Sequence, residues 1–97
     1  MSQSQLLIEA IEDLVNNNEP NINYSLLNTN CLYIFRTIRG FICSGIIEKY
    51  GNNNEGEYLL IKNFTIMVDN KFMDPEPNPV IYYTNNIINI KCLTGLL

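Results

Sequence analysis

Two β-rich segments that meet at a single glycine constrain the fold of this 97-residue chain more than any other feature. Residues 31–39 and 41–50 are mostly β-branched, aromatic or otherwise apolar, a composition that favours strands. Gly40 separates them, so a hairpin turn is predicted at Arg39 and Gly40. Gly45 is predicted to lie inside a sharply curved strand, because a residue without a Cβ atom permits such a bend.

An amphipathic pattern predicts one helix over residues 4–16. Leu7, Ile11 and Leu14 share one face at helical spacing, and acidic residues occupy the other side. A stripe of this kind usually packs against the rest of its own domain. The alternative is that Leu7, Ile11 and Leu14 dock the helix onto a partner protein.

The rest of the chain predicts three more strands. Residues 57–68 form a long candidate strand with a bend near residues 62–63, and residues 80–83 and 87–93 form two shorter ones. Residues 52–56 predict a turn, and the proline-rich segment 74–79 predicts a loop. We therefore expect one mainly β domain over residues 1–97, with an N-terminal helix followed by a five-stranded, strongly bent antiparallel barrel over residues 31–93.

Composition limits the classes of partner. The chain holds six Lys and Arg residues and has a net charge of −4, which leaves few cations for neutralising nucleic-acid phosphates. No apolar run reaches the length of a membrane span, and the first residues lack the order of a targeting segment. We expect an intracellular protein that binds no membrane, located in the cytoplasm or, alternatively, in the nucleus. The odd number of cysteines, Cys31, Cys43 and Cys92, predicts buried thiols in a reducing compartment.

The residues needed for common catalytic sites are missing. The chain has no histidine, and we expect no cysteine to be partnered by a basic residue that activates it as a nucleophile, so the usual triads and zinc sites are not expected. No glycine-rich phosphate-binding loop is present. We therefore expect no enzymatic activity, no cofactor and no metal.

The order of the predicted elements and the positions of the glycines resemble the Sm-like (LSm) family. The first signature of that family is matched at Tyr33, Phe35, Gly40, Cys43, Gly45, Ile47 and Tyr50. Residues 59–61 resemble the hydrophobic triplet of the family's third strand, and residues 85–90 are similar to the end of its second signature. The resemblance implies an SH3-like barrel of five strands behind an N-terminal helix.

The chain departs from the family where RNA-binding members hold a base. Gly51 stands where those members carry an aspartate, residues 52–56 enlarge the loop, and Tyr83–Thr84 replace an Arg-Gly pair. The missing arginine removes a cation and a planar stacking surface. The alternative to binding is a structural role, since turn asparagines and half-buried tyrosines are common. The remaining candidates for RNA binding are Tyr58, Tyr83, Asn85 and Asn86.

The resemblance implies assembly with other protein subunits. Family members pair the edges of their fourth and fifth strands with neighbouring subunits, and open apolar edges otherwise favour aggregation. The corresponding candidates for a strand-edge interface are Val80, Ile81, Tyr82, Tyr83, Ile87, Ile88 and Ile90. Our first hypothesis is a non-catalytic, degenerate Sm-like subunit of a heteromeric complex. The small auxiliary subunit of the NatC N-terminal acetyltransferase is similar, since it too lacks the Arg-Gly pair and has a long loop before its fourth strand.

Two alternatives remain open. The chain is either a divergent LSm ring subunit that binds U-rich RNA in splicing or mRNA decay, or a small barrel of other ancestry, such as a viral inhibitor or adaptor.

Overall fold

The computed structural model describes residues 3–17 and 22–93. Helix α1 (Gln3–Asn16) precedes six strands, and short 3-10 turns lie at Tyr24–Leu26 and Thr84–Asn86. The strands are β1 (Leu32–Thr37), β2 (Ile42–Asn53), β3 (Gly56–Val68), β4 (Lys71–Phe72), β5 (Val80–Tyr83) and β6 (Ile87–Cys92). The predicted mainly β fold with an N-terminal helix is confirmed.

The strands form one antiparallel sheet that curls into a half-barrel. The sheet order is β4-β3-β2-β1-β6, and β5 pairs with residues 58–61 in the first half of β3. Among the described strands, β5 therefore pairs only with β3, and β6 pairs only with β1. Each of these two strands keeps one edge without a strand partner.

Gly45 lies at the point where β2 bends. The β2–β3 register shifts between Ser44 and Ile46, which marks a local irregularity in the ladder. A Cβ atom on Gly45 would overlap the Cγ2 atom of Ile61 and would lie 3.2 Å from the backbone oxygen of Lys62. The bend predicted on the partner strand is also present, since Asn63 has a positive φ of 56°. Both bends occur at the positions that the sequence predicts.

Two apolar clusters pack on the curled sheet. The first lies among the strands and includes Tyr24, Tyr33, Phe35, Cys43, Ile47, Leu59, Ile61 and Ile87. The second joins α1 to the sheet and includes Ala10, Leu14, Ile34, Ile42 and Leu93. Leu14 is 0% exposed, and Leu7 and Ile11 are partly buried in the same cluster. The apolar stripe of α1 thus packs on the chain's own sheet, and docking of a partner through it stays a prediction.

Polar contacts attach the end of α1 to β1 and β6. Arg36 donates from Nη1 to the carbonyl oxygens of Leu14 and Val15 at 3.4 and 3.1 Å. The buried Asn89 donates from Nδ2 to the carbonyl oxygen of Asn17 at 2.7 Å. These donors satisfy carbonyls that have no partner within the helix, so they fix the helix end on the sheet.

Two connections differ from the sequence prediction. The turn predicted within residues 52–56 is confirmed at residues 54–55, but the enlarged loop is wrong, because β2 continues to Asn53 and β3 begins at Gly56. The Asn53 side chain accepts a hydrogen bond from the Glu55 amide at 2.8 Å, and Gly56 adopts a φ of 125°, which together allow a tight turn. The second difference is β4, a two-residue strand that the sequence does not predict.

The cysteines do not share one environment. Cys43 is buried, Cys31 is partly buried and Cys92 is exposed. The prediction of buried thiols is therefore wrong for Cys92, which lies at the end of an edge strand.

No helix in residues 3–17 or 22–93 has the length and apolar character needed to cross a bilayer.

Replacing Gly45 by alanine is expected to lower the free energy of unfolding by about 1–3 kcal/mol, because the added methyl group displaces Ile61 or the β3 backbone. Urea denaturation measures the change. The matched control is Lys49→Ala, an exposed position on the same strand, which should change stability by less than about 0.5 kcal/mol. Equal effects of the two substitutions would contradict this role of Gly45.

The thiols are expected to differ in reactivity with iodoacetamide. Burial raises the pKa of Cys43 to about 11, so this thiol stays protonated at pH 8. Cys92 should be alkylated at least about 100-fold faster than Cys43 in the folded protein, and all three should react alike in denaturant. Peptide mapping by mass spectrometry gives the rates, and similar native rates for Cys43 and Cys92 would refute the assignment.

Because the unfolded thiol ionises near its ordinary pKa of 9.0, the contribution of Cys43 to stability should decline as the pH rises from 9 towards 11.

Candidate functional site

A groove runs along the unpaired edge of β5. It has a volume of about 380 Å³, and we name it the β5 groove. Its walls are Thr37, Ile38, Arg39, Phe41, Ile81, Tyr82, Tyr83 and Asn86. Successive residues of a strand point to opposite faces of the sheet, so Ile81, Tyr82 and Tyr83 can all line one groove only where it follows the strand edge. β3 occupies the other edge of β5.

The wall opposite β5 is the β1–β2 hairpin. Ile38 donates its amide to the carbonyl oxygen of Asn86 at 2.9 Å, which holds the hairpin against the turn that follows β5. Within the hairpin, Gly40 donates its amide to the carbonyl oxygen of Thr37 at 2.9 Å, and Phe41 donates to Thr37 Oγ1 at 3.1 Å. Gly40 has a φ of 89°, a conformation that side-chain-bearing residues rarely adopt. The spacing of the two walls is therefore fixed by hydrogen bonds.

Both walls expose large apolar side chains. Ile38, Phe41 and Ile81 are 56%, 47% and 50% exposed. Clustered exposed apolar groups with a polar margin are typical of interaction sites. Among the residues that the structure describes, Arg39 is the only charged residue that lines the groove. Together these features describe a slot with apolar walls and a single positive group.

Tyr82 anchors β5 to the interior. Its ring centroid lies 5.3 Å from that of Phe35 and 5.9 Å from that of Phe64. Burial raises the pKa of Tyr82, so the phenol is neutral at physiological pH. β5 is thus held by pairing with β3 on one edge and by the packing of Tyr82 against Phe35 and Phe64, while its other edge faces the groove.

Only two of the four residues predicted for RNA binding line the β5 groove. Tyr83 and Asn86 line the β5 groove, whereas Tyr58 and Asn85 do not. Tyr58 pairs with Gly51 across the strands, and a Cβ atom on Gly51 would overlap the Tyr58 ring. The rings of Tyr58 and Tyr83 meet edge to face at 6.2 Å. Both tyrosines therefore have structural contacts, and their binding of RNA stays a prediction.

The residues predicted for a strand-edge interface differ in exposure. On β5, Ile81 is exposed and Val80, Tyr82 and Tyr83 are partly buried. On β6, Ile87 belongs to the core, and Ile88 and Ile90 are partly buried. β5 pairs with β3 along one edge, and β6 pairs with β1 along one edge. Within the described part of the chain, no backbone hydrogen bond links the other edge of residues 80–83 or 87–91 to another segment. The backbone of these edges, with Ile81, is what a partner strand can reach.

The sequence analysis missed the hairpin wall of the groove. Ile38, Arg39 and Phe41 surround the predicted turn, where polar residues are usual, and two exposed apolar residues there are the signal that could have identified it. Arg39 also supplies a cation near Tyr83 and Asn86, although the Arg-Gly pair itself is missing.

The remaining chemistry of the described residues is limited. No three Cys, Asp or Glu side chains in residues 3–17 and 22–93 come together in a group that could hold a metal ion. One ion pair, between Lys91 Nζ and Asp13 Oδ2 at 2.7 Å, joins β6 to α1 and lowers the pKa of Asp13 chiefly through their hydrogen bond.

No protein-family model matches this chain, and no curated protein matches it in sequence.

Proposed function

We propose that this chain is a non-catalytic assembly subunit with an Sm-like fold, and that it joins a heteromeric complex through the open edges of β5 and β6. The observation that carries the proposal is the pair of unpaired strand edges in one small sheet. An unpaired edge is a template for another strand, and proteins usually protect it with charge, proline or a covering segment. β5 has no charged residue and no proline within the strand. No segment of the described residues hydrogen-bonds along this edge, so a partner strand is the protection that we propose.

Three features support the Sm-like assignment. An N-terminal helix precedes the curled sheet, Gly45 lies at the bend of the long second strand, and a short turn at Thr84–Asn86 joins the last two strands. The sheet order also leaves the two strands before and after that turn at open edges, as the strand pairing between Sm-like subunits requires.

The proposal includes a role like that of the NatC auxiliary subunit. The chain lacks the Arg-Gly pair, and the segment between β3 and β5 is long, with β4 and a proline-rich loop over residues 73–79. In such a role the chain supplies edge strands to a larger subunit, and acetyl transfer takes place elsewhere in the complex.

One observation favours the alternative of an RNA-binding ring subunit. Arg39, Tyr83 and Asn86 line the same groove and offer a cation, an aromatic ring and an amide. The net charge of −4 opposes this alternative, because it limits the electrostatic contribution to binding.

Native purification of the tagged chain from its own cells, followed by mass spectrometry, tests the proposal. We expect stoichiometric protein partners and no U-rich RNA. Recovery of other LSm proteins together with small U-rich RNA would favour the alternative. Recovery of the chain as a stable monomer without partners would contradict both.

Placing a charge on the β5 edge should abolish this assembly. Ile81→Lys is expected to reduce recovery of the partner at least about tenfold, because a lysine on an edge strand disfavours pairing with another strand. The matched control is Val68→Lys, because Val68 is 45% exposed but does not line the groove. The Val68→Lys variant should retain the partner protein. Partner recovery that is equal for the two variants would rule out the β5 edge as the interface.

A further inference from the structure

The residues that line the β5 groove indicate which kind of peptide segment it can bind. We infer that its occupant is an extended peptide segment of a different protein, with an Asp or Glu facing Arg39 and large apolar residues two positions before and after it. This inference rests on the proposed function, since it specifies the partner strand that the β5 edge accepts.

The shape of the groove indicates an extended segment. β5 offers four residues of edge, which corresponds to about 13 Å of strand at the usual rise per residue. Strand addition uses the backbone of such an edge for affinity and pockets for alternate side chains for specificity. Residues at i and i+2 of an added strand point to the same side, so alternate residues meet the hairpin wall. Two of these positions would meet Ile38 and Phe41.

Arg39 determines the charge of the segment. Among the described residues, Arg39 has no ion pair and no hydrogen bond, and its side chain is exposed. By contrast, Arg36 binds carbonyl oxygens at the end of α1, and Lys91 pairs with Asp13. No carboxylate of the described residues lines the groove. Asp69 lies with Phe41 in a separate space of about 350 Å³.

The Arg39 guanidinium is suited to a carboxylate. Guanidinium groups bind carboxylates through two parallel hydrogen bonds. Because Ile38 and Phe41, which line the same groove, are 56% and 47% exposed, we expect salt to screen this contact. The chain as a whole has a net charge of −4, but Arg39 places a positive charge in the groove. The groove therefore favours an acidic partner.

The open β5 and β6 edges of a second copy of the chain do not supply the complementary charge. β5 and β6 contain no acidic residue, and the only charged residue on either strand is Lys91. If the β6 edge of another copy lay along the groove, it would bring a cation and no carboxylate towards Arg39. The charges therefore favour a heteromeric contact.

Fluorescence anisotropy with labelled peptides tests the inference. The probe is an end-blocked peptide with the core Thr-Ile-Thr-Asp-Thr-Ile-Thr, and its controls carry Asn or Lys in place of the Asp. We expect the Asp peptide to bind about 5- to 10-fold more tightly than the Asn peptide at low salt, with the difference shrinking as salt is raised. The Lys peptide should bind more weakly than either.

Three variants locate the effect. Arg39→Gln should abolish the preference for Asp over Asn, whereas Lys49→Gln, which removes a charge from an exposed position outside the groove, should retain it. Ile81→Lys should weaken binding of both the Asp and the Asn peptides. Circular dichroism and thermal melting confirm that each variant is folded.

The outcomes distinguish this inference from the proposed function. Equal affinity for the Asp and Asn peptides, or no binding of any peptide at millimolar concentration, would overturn the inference. In either case, a protein partner that native purification recovers with the original chain but not with the Ile81→Lys variant would still support the proposed function. Binding of oligouridine that depends on Arg39 and displaces the Asp peptide would assign the groove to nucleic acid and would also overturn it.

Discussion

The close approach of β3 to Gly45 is the contact on which the rest of the fold depends. The backbone oxygen of Lys62 and the side chain of Ile61 fill the space that a side chain at position 45 would need. This contact lets β2 continue for twelve residues, with β3 along both of its halves and β1 beside its first half only. The resulting curl brings β5, which pairs with β3, near the β1–β2 hairpin. The β5 groove is a direct consequence of that geometry.

The apolar stripe of the helix packs within the chain and leaves other apolar residues exposed. Leu14 is fully buried, and Arg36 and Asn89 bind carbonyl oxygens near the end of α1. The apolar stripe and the end of the helix are thus satisfied within the chain. The remaining exposed apolar residues include Ile38, Phe41 and Ile81, which surround the open edge of β5. Apolar side chains and unpaired backbone groups therefore occur at the same place, a combination that favours strand addition.

Local sequence signals account for most of the secondary structure. The helix, the hairpin at Gly40, the bend near Asn63 and the strands beside the proline-rich loop all depend on residues close together in the chain. β4 was not predictable, because two residues, Lys71 and Phe72, are too short for any periodic pattern. The tight turn after Asn53 depends on a side-chain hydrogen bond that composition alone does not reveal, since a cluster of asparagines fits both a long loop and a short turn.

The candidate site was predictable only in part. The open edges follow from the resemblance and from the apolar strands, but the groove depends on contacts between the β1–β2 hairpin and β5, which are distant in sequence. Hydrogen–deuterium exchange on the chain, alone and in its purified complex, tests the central claim most directly. The account predicts slower amide exchange in the complex over residues 80–83 and 87–92, with little change in the turn at residues 54–55. Protection confined to α1, with unchanged exchange in β5 and β6, would contradict assembly through the strand edges.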